Sequence, residues 1–329
     1  MGDNVDDWNS HNSPSRVARN WGEQAMLIQH SIMPPPVILS PVTMYSAVLR
    51  ANTSAAVCGT RSTTSAAIID PFYGGVMDVF RQPKYAYYMF KAQRSPENQD
   101  RLFETGPMVY IAHEMTPFSP KDVTVYSNCD EVRLTYNKGG KTWTYTKPAT
   151  KEGMPSPVIT FKDIYDFMID KNMSMRKKKQ DEVFLLAEGI IDGKVVATHE
   201  VRPARRPEKV LLWVDNENTD LKADGSDFVT VVAAIADKNG NIKRLNNYYV
   251  KFHVEGEGRI LGGANILANP APVKWGTAPV LIQSTLKPGK IKITASVLFE
   301  GSQMPASAVL ELESKPRLIL SSTPKVKLR

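Results

Sequence analysis

Between residues 210 and 312 short runs of aliphatic and β-branched residues recur at near-regular spacing, and this is the strongest constraint on the fold. The runs are Val210–Val214, Val229–Ala236, Tyr248–Val254, Val280–Ser284, Ile291–Leu298 and Val309–Leu312. Turn formers separate them, among them Asp237-Lys238-Asn239-Gly240 and Lys287-Pro288-Gly289-Lys290. About seven such strands in about 105 residues argue an immunoglobulin-like sandwich.

Upstream, Pro203-Ala204-Arg205-Arg206-Pro207 is a proline-bounded basic linker. Before it, Val123–Tyr126 and Val132–Tyr136 alternate as strands do, and Asn137-Lys138-Gly139-Gly140-Lys141 reads as a turn. Val183–Gly189 and Val195–His199 flank a second turn at Asp192-Gly193, a pair suited to a tight hairpin. Phe161 to Met175 is aromatic and holds one short helix. Residues 105–203 are therefore a second β-domain. Residues 1–95 read differently, as helix and loop: Ser13-Pro14-Ser15 marks a capped helix start, and Gln82-Pro83 opens another. In that second helix Tyr85, Tyr88, Met89 and Ala92 fall at i, i+3, i+4 and i+7, a single buried stripe.

Composition excludes several classes. Apolar residues make up 42% and charged residues 23%, which is globular usage. The net charge of +7 sits largely in Arg176 to Lys179 and in Arg202, Arg205, Arg206 and Lys209. No aromatic residues interleave with these clusters, so they read as a solvated loop and a linker, with no nucleic acid as partner. No run of about 18 apolar residues exists, so no membrane span is expected. Residues 1–20 are polar and carry Asp3, Asp6 and Asp7, unlike a signal peptide. Cys58 and Cys129 are too few for a disulfide framework. His11, His30, His113, His199 and His253 lack metal-ligand spacing, so neither metal nor cofactor is expected.

Several motifs carry a resemblance. Gly2-Asp3-Asn4-Val5-Asp6-Asp7-Trp8-Asn9-Ser10-His11-Asn12, with Asn20-Trp21-Gly22-Glu23, resembles the seventh-strand loop and following helix of the barrel in family 2 glycoside hydrolases. Asp70–Asp78 with Arg81-Gln82-Pro83-Lys84 resembles their entry to the eighth helix. Val125–Val132 resembles the strand pair opening the sandwich after the barrel. Thr219–Asp227 and Gly256–Gly262 resemble the terminal Ig-like module. The resemblance implies a mostly β chain: a remnant of the end of a (β/α)8 barrel over residues 1–95, β-sandwiches over 105–203 and 208–314, and a frayed basic tail over 315–329.

It also implies the chemistry of a retaining β-glycosidase of the β-galactosidase type, which needs two carboxyl groups about 5 Å apart. In the family both come from barrel strands. By this alignment Met1 takes the aromatic position that follows the nucleophilic Glu, so both catalytic carboxylates are expected upstream and the chain alone is expected to be inactive. Asn4, Trp8, His11 and Asn12 are the candidate substrate-binding residues, with Trp8 stacking on a pyranose face. Asp3, Asp6, Asp7 and Glu23 are a local acidic group suited to a solvated loop and helix start. Trp143, Trp213 and Trp275 are either core anchors or sugar platforms. The implied partner is a β-galactoside-type carbohydrate; a homo-oligomer, and a periplasmic or secreted setting, are implied for intact members. The competing reading is a non-catalytic adhesive or carbohydrate-binding Ig-like protein. It leaves the barrel-like segments 1–28 and 70–93 without a purpose.

Residues 30–69 depart from the family pattern. One codon choice for Cys58 to Ile69, read in a neighbouring frame, gives Trp-His-Ser-Phe-Asp-His-Gln-Arg-Gly-Tyr-His, which resembles the family's eighth-strand segment. Two compensating indels would account for this, and residues 30–69 are then expected to lack a selected fold; the alternative is a natural divergent loop. Sequencing the genomic codons 58–69 tests it: the Trp-His-Ser-Phe-Asp reading is expected in another frame, and its absence from every frame rejects the idea.

Overall fold

The structure is a computed structural model, and it describes residues 80–97, 106–137, 140–146, 156–175, 182–215, 220–298 and 304–317. The segment 30–69 lies outside them. The chain divides into two compact units between Pro203 and Ala204, inside the proline-bounded linker.

Among its described residues, the first unit opens with helix α1 (Tyr85–Lys91), which begins just after Pro83. Seven strands follow: β1 (Val109–Ala112), β2 (Val123–Ser127), β3 (Glu131–Tyr136), β4 (Thr142–Thr146), β5 (Ile159–Phe161), β6 (Leu185–Ile191) and β7 (Lys194–Val201). Helix α2 (Phe167–Met175) interrupts the connection from β5 to β6. The strands form a three-stranded sheet, β1-β2-β5, and a four-stranded sheet, β4-β3-β6-β7. The inner faces meet in a core built on Ile111, Val123, Val125, Val132, Leu134 and Leu185.

Local sequence explains the elements. In β3, Val132, Leu134 and Tyr136 point inward, while Arg133 points outward and pairs with Glu188, its cross-strand neighbour on β6, at 2.6 Å. The β6–β7 hairpin turns on Asp192 and Gly193 with φ of 51° and 73°, the two left-handed residues that a twisted two-residue hairpin needs. Gly189 sits where β6 shifts register, and a Cβ there would lie 2.6 Å from Cys129 Sγ. Strand β2 is buried at all five positions because Val123 and Val125 face the sandwich core while Tyr126 faces α1.

The second unit contains β8 (Lys209–Asp215), β9 (Lys222–Ala223), β10 (Phe228–Ala236), β11 (Tyr249–Gly256), β12 (Gly258–Ile260), β13 (Ala271–Pro272), β14 (Thr277–Ser284), β15 (Gly289–Leu298) and β16 (Ala308–Pro316). A four-stranded sheet, β12-β14-β10-β8, faces a five-stranded sheet, β13-β11-β15-β16-β9. Val231, Ile235, Phe252, Ile282, Ile291 and Ile293 lie at the centre of the core. The six runs picked out in the sequence all form strands here. The short strands β9, β12 and β13 carry too few residues for a periodic signal.

One boundary differs from the sequence reading, which put residues 315–329 in a frayed tail: Lys315 and Pro316 continue the last strand and pair in parallel with Lys222 and Ala223, and the Lys315 N–H donates to the Leu221 carbonyl at 2.7 Å. Lys315 also forms an ion pair with Asp220, so its charge has a partner on β9's approach. The linker is fastened at its second-unit end. Asp237 is fully buried, and its carboxylate accepts the N–H groups of Arg205, Asn239 and Asn241. Burial alone would raise its pKa, but the Asn241 side-chain amide together with those bonds holds it below the ordinary carboxylate range.

Phe252 is 2% exposed at the centre of the second core. Phe252→Ala is expected to cost about 3–5 kcal/mol in denaturant unfolding, whereas Lys251→Ala, on the outer face of the same strand, is expected to stay within about 0.5 kcal/mol.

Candidate functional site

The residues expected to meet sugar, Asn4, Trp8, His11 and Asn12, lie outside the described residues, as do Asp3, Asp6, Asp7, Glu23, His30, Cys58 and the basic run Arg176 to Lys179. Of the three tryptophans, Trp275 is buried, and Trp143 packs half-buried against the first core. Both are anchors. Trp213 alternates with Leu212 and Val214, which pack on the second core, so it stands on the outer face of β8.

No group of three or more His, Cys, Asp and Glu side chains among the described residues could hold a metal ion. Two of the described carboxylates stand at the first turn of α2. Asp166 and Asp170 are one helical turn apart, but Asp166 is the N-cap of α2, accepting the Met168 and Ile169 N–H groups at 2.8 and 3.3 Å. Asp170 is only 2% exposed beneath the helix.

A cluster of aromatic side chains and buried amides lies at the seam where α1 meets the outer face of β1 and β2. Tyr85, Met89 and Ala92 are buried there against Ala112 and Tyr126, and Tyr88 packs beside them, as the i, i+3, i+4, i+7 stripe requires. The Tyr88 and Tyr110 rings stack at 3.6 Å with 6° between planes. Tyr110 in turn lies 4.4 Å from the His199 ring on β7, and the Tyr85 hydroxyl donates to Glu114. The stack therefore runs from the helix, through β1, to the last strand of the sandwich.

Two buried amides lock the seam. Gln93, just past α1, donates to the Met89 and Ser156 carbonyls at 3.0 and 2.8 Å and accepts the Ser156 N–H at 3.0 Å. Asn128, in the β2–β3 turn, accepts the Met108 N–H at 2.8 Å and donates to the Arg94 and Gly106 carbonyls at 3.2 and 2.9 Å. Each amide meets two acceptors and one donor, so burial strands none of its hydrogens. Sequence reasoning missed both. Their partners are distant in the chain, and the one local hint for Asn128 was its place in a turn.

The histidines here are neutral. His199 Nδ1 accepts the Ile111 N–H at 3.1 Å, which places its proton on Nε2 and joins β7 to β1; burial lowers its pKa. His113 is 1% exposed: Nδ1 accepts the Met115 N–H and Nε2–H donates to the Pro120 carbonyl. Burial pushes its pKa down to about 4. The seam thus has the chemistry of a structural joint: aromatic area, satisfied amides, neutral rings.

Comparison with known proteins gives the family. The model of the glycoside hydrolase family 2 C-terminal domain 5 matches residues 212–298. A β-galactosidase of Thermoanaerobacter pseudethanolicus is 33% identical over 227 residues, covering 68% of this chain and 28% of that protein. A β-glycosidase structure from Bacteroides vulgatus matches 73% of this chain and 28% of its own, with a TM-score of 0.50 and 24% identity. A β-glucuronidase structure from glycoside hydrolase family 2 matches 74% of this chain and 23% of its own, with a TM-score of 0.51 and 23% identity. The fold and these matches define a C-terminal region of family 2 glycoside hydrolases, made mostly of β-sandwiches. The second unit carries that family's C-terminal domain 5, and the chain spans 28% of the length of its Thermoanaerobacter relative.

The Tyr88–Tyr110 stack should be measurable as a coupling. In a double-mutant cycle of Tyr88→Ala and Tyr110→Ala, denaturant unfolding is expected to give an interaction energy of about 0.5–1.5 kcal/mol. Strict additivity would mean the two rings do not support each other.

Proposed function

We propose that this chain is the post-barrel portion of a retaining β-glycosidase of the β-galactosidase type, acting on a β-linked carbohydrate when the barrel is complete. Residues 1–95 belong in this reading to the end of the barrel, 105–203 to the sandwich that follows it, and 208–314 to the terminal Ig-like domain. Asn4, Trp8, His11 and Asn12 contact sugar in the intact enzyme, and the nucleophile and the acid/base lie on earlier barrel strands.

The observation that carries the reading is the seam. A seven-residue helix, preceded by Arg81-Gln82-Pro83-Lys84, is stacked and hydrogen-bonded onto the outer face of a sandwich. An adhesive array of Ig-like modules has no use for such a helix, whereas an enzyme that must hold a sandwich against its barrel does. The relationship to a β-galactosidase at 33% identity supports the carbohydrate class.

A chromogenic β-galactoside and a chromogenic β-glucuronide, incubated with the purified full chain between pH 5 and 8, test the proposal. Release at the buffer rate is expected for both. Turnover of either, surviving further purification, would overturn the claim that catalysis needs residues outside this chain.

A further inference from the structure

Helix α2 is held by an unusual contact. Asp170 lies on its buried side, 2% exposed. Its Oδ1 accepts the Tyr136 hydroxyl at 2.6 Å and lies 3.5 Å from the Asn137 amide nitrogen, whereas its Oδ2 has no hydrogen-bond partner. Tyr136 ends β3, and its hydroxyl also donates to the Asp166 carbonyl at 3.3 Å. Asn137 follows with φ of 59°. Its own N–H donates to the Phe184 carbonyl and its side-chain oxygen accepts the Phe184 N–H, so its position is fixed by the approach to β6.

Among the described residues, the charges around Asp170 offer no compensation. From β3 it faces Tyr136, from the adjoining turn the neutral Asn137, and from its own element Asp166, a second carboxylate one turn earlier. Lys171, next along the helix, is exposed, and among the described residues no ion pair reaches Asp170. A buried carboxylate with one oxygen unmet and an acidic neighbour is costly, and the neutral acid much less so. Burial accordingly pushes the Asp170 pKa up to about 6 against the hydrogen bonds from Tyr136 and Asn137, with Asp166 adding to the rise.

We propose that α2 is a proton-operated latch, in which protonated Asp170 holds the helix against Tyr136 and Asn137 and loss of that proton loosens it. The direction follows from linkage. The docked acid binds its proton more tightly than a released one, whose ordinary value is 3.8. Docking is therefore firmest below about pH 4, weakens as pH rises toward 6, and stays level above that. Release would free Phe167 and Met173 from the core, adding them to the exposed Met168, Ile169 and Met175 on the same helix. His113 works in the opposite sense: its lowered pKa makes the sandwich lose stability as pH falls from 6.5 toward 4.

Hydrogen exchange on the full chain, corrected for intrinsic rates, separates the two. Over residues 167–175 the wild-type opening equilibrium is expected to rise by up to about 100-fold from pH 4 to 7, the span of about two pKa units. Asp170→Asn, which cannot ionise, is expected to hold that segment's opening nearly constant, while β2, β3 and β6 keep the wild-type response. The latch is refuted if the segment responds alike in both proteins, or if wild type shows no rise. Should Asp170→Asn not fold, Tyr136→Phe gives a second reading. It removes a hydrogen bond that favours the ionised acid, so the midpoint of opening must move to higher pH, and an unmoved or lowered midpoint also refutes the latch.

Discussion

A seven-residue helix has too few internal hydrogen bonds to stand alone in water, so α1 exists because the first sandwich holds it. That dependence organises the first unit. The sheet offering the docking face must be apolar on both sides, which is why β2 is buried throughout and why Tyr126, Ala112 and Tyr110 occupy positions that an ordinary sandwich would leave to solvent. Gln93 and Asn128 then supply what aromatic contact cannot, a fixed register between the helix end and two turns. The same logic accounts for the neutral histidines, since a charged ring at either site would lose the backbone N–H that now points at its Nδ1.

Much of this architecture was legible in the chain. Strict alternation in Val132–Tyr136, the Asp192-Gly193 turn and the spaced runs from Val210 onward reported strands, because each depends on neighbours within a few residues. The stripe of Tyr85, Tyr88, Met89 and Ala92 was equally local, and it gave the buried face of α1 correctly. Helix α2 was less distinct, since Phe167–Met175 exposes Met168, Ile169 and Met175 and so blurs the apolar period.

What escaped was whatever depended on residues far apart meeting. Gln93 and Ser156 are 63 positions apart, and Tyr136 and Asp170 are 34 apart. No window of sequence joins them, and each alone is an unremarkable polar residue. The tryptophans show the same limit from the other side: the sequence allowed core or sugar platform, and only burial in the folded chain told Trp275 and Trp143 from Trp213. The sugar-binding candidates in residues 1–28 were read from resemblance, with no periodicity of their own to support them.

Strand β16 meets the rest of its domain at three places. Ala306, just before it, exchanges backbone hydrogen bonds with Glu208 and Val210; β15 runs along its side; and Lys315 reaches Leu221 at its far end. During synthesis this strand emerges after every other element of the sandwich. Until it does, the whole length of β15 is an open edge with Ile291, Ile293 and Ala295 behind it. A nascent chain paused in that state would present a template for pairing with its neighbours on the same message.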